Sequence, residues 1–82
     1  MSKYLYNVQL NGTVRLFEEH ASDEPYATVK VAAKVRTLLT DANTAENPAV
    51  MTVYKGSFSG APVAVRKMCR CGASTSVYPV RP

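Results

Sequence analysis

The densest chemistry in this 82-residue sequence lies in Cys69-Arg70-Cys71. Two thiols one residue apart on a strand share a face, and with His20, the single histidine, they supply three candidate zinc ligands. A closed structural site takes four, and no second cysteine pair exists, so the expectation is no metal and no cofactor. Lys67 and Arg70 beside the thiols favour thiolate, the reactive form. That opens a redox or intermolecular disulfide reading beside the plainer one of two small buried thiols in a reducing compartment.

Acid–base or nucleophilic catalysis needs a histidine or carboxylate oriented by a partner. His20 stands in Glu18-Glu19-His20-Ala21-Ser22-Asp23-Glu24-Pro25, whose crowded carboxylates read as a solvated connector. No serine sits in a nucleophile elbow. Val63-Ala64-Val65-Arg66, after the turn Gly56-Ser57-Phe58-Ser59-Gly60, resembles the Val-Ala-Ile-Lys strand of protein kinases over about fifteen residues. The Gly-x-Gly-x-x-Gly loop is absent, however, Arg66 replaces the lysine, and neither His-Arg-Asp nor Asp-Phe-Gly follows. The similarity implies a glycine-turned hairpin and no ATP site. The protein is expected not to be an enzyme.

Binding is better supported by residue types. Residues 1–46 hold five Lys/Arg against six Asp/Glu, a balance of −1, whereas residues 47–82 hold five Lys/Arg and no acid, a balance of +5. A half of one sign steers acidic partners to one surface. Lys55, Arg66, Lys67 and Arg70, with Tyr54 and Phe58 nearby and Tyr78 further on, are the candidate partner-binding residues: cations for carboxylate or phosphate, rings for packing or base stacking. No run of about 18 apolar residues exists, so no membrane span is expected. The start, Met1-Ser2-Lys3-Tyr4-Leu5, lacks a signal-peptide pattern, and the expected location is cytoplasmic.

The elements that must position these groups follow from periodicity. Lys3 to Phe17 reads as a β-hairpin about Asn11-Gly12, with Val8 facing Val14, Tyr6 facing Leu16 and Leu10-Asn11-Gly12 as a three-residue loop. Ser22 or Asp23 caps a helix whose first turn takes Pro25, and Ala27, Val31, Val35, Leu38 and Leu39 make its apolar stripe between Tyr26 and about Thr40. The alternation Thr28-Val29-Lys30-Val31 offers a strand as the competing reading. After the polar linker Asp41–Pro48, Val50 to Phe58 reads as a strand, and Ser59–Pro62 turns into the basic strand Pro62–Cys71. There Val63, Val65, Lys67, Cys69 and Cys71 share one side, and Ala64, Arg66, Met68 and Arg70 the other. Gly72-Ala73-Ser74 breaks the chain before a short segment, Thr75 to Val80, in which Pro79 requires an edge.

The sum is one α+β domain over residues 1–82: an antiparallel sheet of four to five strands in the order β-β-α-β-β(-β), with one helix packed on one face. A chain this short buries only about 60% of its unfolded surface, which disfavours a deep pocket. The functional expectation is a small binding protein of the kind phages and mobile elements use as inhibitors. It would cover an acidic protein surface or nucleoprotein assembly with a basic sheet surface on which Arg66 and Arg70 lie outward. Direct nucleic-acid binding is the second reading. A homodimer or larger homo-oligomer built through edge strands is the third.

Overall fold

The computed structural model describes the backbone of residues 1–71 and 74–79, with side chains up to Arg70. It has the expected α+β architecture. Strands β1 (Ser2–Leu10) and β2 (Thr13–Ala21) form a hairpin, helix α1 (Glu24–Arg36) follows, and β3 (Ala49–Lys55), β4 (Ala64–Cys71) and β5 (Ser74–Pro79) complete the chain. All neighbours pair antiparallel in the order β2-β1-β3-β4-β5. Pro79 accordingly sits on an edge strand, where its missing N–H breaks no interior ladder.

Burial alternates along β1 and β3, as it must in a sheet covered on one side. Tyr4, Tyr6, Val8 and Leu10 of β1, Ala49, Met51 and Val53 of β3, and Met68 of β4 form the covered face. Ala27, Val31, Ala32, Val35 and Leu39 close over them, with Phe17 and Leu38 at the margin. This is the anticipated stripe, enlarged by Ala32 and with Leu38 only partly buried. The helix begins where the sequence put it: the Asp23 side chain accepts a hydrogen bond from the Tyr26 amide at 3.1 Å, and Pro25 stands in the first turn. It stops at Arg36 rather than Thr40, where the Thr37 amide turns back to the carbonyls of Lys34 and Val35.

Two expectations are corrected. The first hairpin closes with a two-residue turn, Asn11 at φ 51° and Gly12 at φ 79°, so Leu10 pairs with Thr13, Val8 with Arg15 and Tyr6 with Phe17. Both turn residues are left-handed, the geometry whose twist matches that of the flanking strands. The one-residue difference from the expected register turns Val14 and Leu16 away from the helix. The supposed acidic connector is likewise strand as far as Ala21, with Glu18, Glu19 and His20 paired to Leu5, Tyr4 and Lys3.

The linker is organised by Asn43, fully buried despite its polarity. Its Oδ1 accepts from the Thr40 amide at 2.9 Å, and its Nδ2 donates to Asn11 Oδ1 at 3.0 Å. Its backbone carbonyl accepts from the Arg70 amide at 2.6 Å. One side chain thereby ties the linker to the hairpin turn while its backbone holds the end of β4.

Candidate functional site

The covered side of β4 carries Ala64, Arg66, Met68 and Arg70, because Met68 must join the core and alternation takes its neighbours two apart with it. Arg66 therefore points under the helix and not toward solvent, contrary to the expectation of an outward guanidinium row. Glu24, in the first turn of α1, meets it with both carboxylate oxygens: Arg66 Nε donates to Oε2 at 3.2 Å and Nη2 donates to Oε1. Thr28 Oγ1 donates to the same carboxylate, which leaves its oxygen to accept from the buried Tyr6 hydroxyl at 2.9 Å. The hydrogen bonds it donates to Glu24 hold the Arg66 guanidinium above its usual range against the opposing effect of burial. Burial pushes the Tyr6 phenol up to about 12. This is a satisfied structural network in which the Arg66 guanidinium is taken up by the chain's own Glu24.

Arg70, also expected to bind, is exposed and lies 3.8 Å from the exposed carboxylate of Asp41. Lys55 is exposed at the end of β3, on the same side of the sheet as Tyr4. The other three candidates, Lys67, Tyr54 and Phe58, belong with the opposite side. Lys67 pairs with Val50 and Tyr54 with Leu5 on that face, and the Phe58 ring meets Tyr54 edge-on at 5.2 Å. The six residues are thus divided between two faces.

The second face is the more informative. Registers place Val14, Leu16, Glu18 and His20 of β2 beside Gln9, Asn7, Leu5 and Lys3 of β1, then Val50, Thr52 and Tyr54 of β3, then Lys67 and Val65 of β4. No described residue of α1 or the linker joins the core from this side, although Cys69, next after Lys67 on this side of β4, is buried. Leu16 is 64% exposed, Val14 54% and Phe58 42%, while Leu5, Val50, Val65 and Tyr54 are half-buried by their neighbours in the sheet. Tyr26 and Val29 are also exposed, but they stand among Lys30, Ala33 and Lys34 on the helix, as scattered apolar residues commonly do.

Sequence reasoning gave Val8, Val14 and Leu16 of the hairpin to one core face and did not single out Leu5, Val14, Leu16, Val50 and Val65 as a shared outer face. The signal lay in β2, where Val14 and Leu16 have one parity and Phe17 and Ala21 the other, so two apolar sets compete for one covered side.

The conjectured zinc ligands do not converge. His20 lies on β2 and Cys69 on β4, with β1 and β3 between them. Among the described residues no cluster of three or more His, Cys, Asp or Glu is placed to hold a metal. Cys69 is buried and disulfide-bonded, and the Cys71 side chain lies outside the described residues. His20 is exposed, with Nε2 3.2 Å from Glu18. A shallow concavity of about 490 Å³ opens between the Asn11-Gly12 turn and Glu46-Asn47-Pro48, with Glu46 its single ionisable lining residue. No described helix is long and apolar enough to cross a membrane. No family model, curated protein or solved structure matches the chain.

Proposed function

We propose that this is a non-enzymatic binding protein that acts by covering a partner protein with the uncovered face of its sheet. One observation carries the reading: Val14 and Leu16 are exposed and Leu5, Val50, Val65 and Tyr54 half-buried around polar Gln9, Asn7 and Thr52 on one side, opposite a core that α1 already closes. Large apolar side chains left exposed or half-exposed on a sheet face that no helix roofs support an interaction site there. The electrostatic part of the contact passes from Arg66 to Lys67 and Lys3, which lie at the rim of a face centred on Asn7 and Thr52. Blocking the partner's own ligand by occupancy is the inhibitory action this geometry suits, and the proposed place of action is the cytoplasm, which fractionation of a tagged chain checks.

Direct nucleic-acid binding remains a second reading because Tyr54 and Phe58 adjoin this face with Lys67. It is disfavoured by the surroundings, since aliphatic side chains outnumber rings and the two rings already pack edge to face. The test is affinity capture of partners by wild type, Leu16→Glu and Arg70→Glu, with and without nuclease and across a salt series. Nuclease-resistant capture that Leu16→Glu abolishes and Arg70→Glu spares is the expected result. Binding that vanishes with nuclease and falls steeply with salt transfers the function to nucleic acid.

A further inference from the structure

We propose that the occupant of the uncovered face is a second copy of this chain, seated face to face with its strands crossed at about a right angle. The inference rests on the reading that this face binds protein, and names the partner.

The face carries charges of opposite sign in a plan that complements itself. Glu18 and Lys67 occupy diagonally opposite corners: Glu18 sits beside Leu5 on the edge strand β2, and Lys67 beside Val50 on β4. Three strand spacings separate β2 from β4, about 14 Å, and the four residues from Leu5 to Gln9 span about 13 Å, so the patch is nearly square. A square patch maps onto itself through a two-fold axis lying along its diagonal. With that axis running from the Val14 corner toward the Tyr54 corner, each Glu18 meets Lys67 of the other copy, twice per dimer. The same operation brings Leu5 toward Val65 of the second copy, sets Leu16 between Gln9 and Val50, returns Val14 to itself and brings Asn7 against Asn7 near the axis. Crossed packing is one of the two ways in which sheets stack, and a self-complementary patch is what a two-fold dimer requires. Among the described residues Lys67 makes no ion pair, while exposed Glu18 pairs with His20. A patch of about a dozen residues is smaller than the roughly 20 to 30 residues a side of a standard interface, so a weak association is expected and is read over a concentration series.

The experiment is analytical ultracentrifugation of wild type, Glu18→Lys, Lys67→Glu and the double exchange, each checked for unchanged thermal unfolding at low concentration. Wild type should pass reversibly from monomer to dimer. Each single exchange creates two like-charge contacts and should weaken association about tenfold, and the double exchange should recover most of it. A wild type monomeric throughout, or a double exchange no better than the singles, overturns the inference. If that monomer still captures a nuclease-resistant partner that Leu16→Glu abolishes, the dimer falls while the binding function stands. If it captures none, both fall.

Discussion

At the scale of single residues, the decisive side chain is Arg66, a cation that strand parity sends to the covered side. There it is held by Glu24, itself bonded to Thr28 and through it to Tyr6. Removing one member of such a pair leaves the other shielded and uncompensated, so Glu24→Ala should cost about 3 kcal/mol by urea unfolding. The double-mutant cycle with Arg66→Met should show strong coupling between the two positions. Tyr6 contributes a pH dependence with a definite sign. Its phenol ionises near 10.0 when unfolded and about 12 when folded, so its stabilisation is complete below about pH 10 and is lost as pH rises through about 12. Two pKa units correspond to about 2 to 3 kcal/mol, a loss that Tyr6→Phe should lack when unfolding is followed from about pH 9 upward. The cation was legible in the sequence, but its partner was not, because Glu24 and Arg66 are 42 positions apart and only the crossing of α1 over β4 joins them.

At the scale of elements, the first hairpin shows what a turn decides. Asn11-Gly12 was readable as its tip, and the strands on both sides were readable from their alternation. Register was not, since Thr13–Ala21 offers an apolar set on each parity and local sequence does not rank them. The two-residue left-handed turn selects one. A Cβ at Gly12 meets nothing within 4 Å, so Gly12→Ala should lose about 1 kcal/mol through its φ of 79° alone, measured by thermal unfolding. Asn43 has the opposite cause, a buried amide whose bonds reach Asn11 and Thr40. Asn43→Ala should cost about 2 kcal/mol by orphaning them, against little effect for exposed Thr44→Ala. Sequence reasoning saw only a linker there, because Asn43 is polar and its bonding partner at the hairpin turn is 32 residues away.

For the molecule as a whole, the one helix and five strands among the described residues leave a sheet with a covered face and an uncovered one. Leu16 and Phe17 are adjacent in sequence and belong to different faces, which gives a clean contrast. Leu16→Glu should change stability by no more than about 0.5 kcal/mol while removing partner contact, whereas Phe17→Glu places a charge at the margin of the core and should destabilise the fold. Denaturant midpoints for the two variants check this directly. The amino-acid order by itself determined the sequence of elements, the helix cap, the helix stripe and the polarity of charge along the chain, because these depend on near neighbours and on period. Which side of each strand meets the helix, where Arg66 finds its carboxylate, and which valines and leucines remain uncovered were decided only when the sheet closed. A strand's two faces are physically equivalent until turn geometry and the crossing helix choose between them.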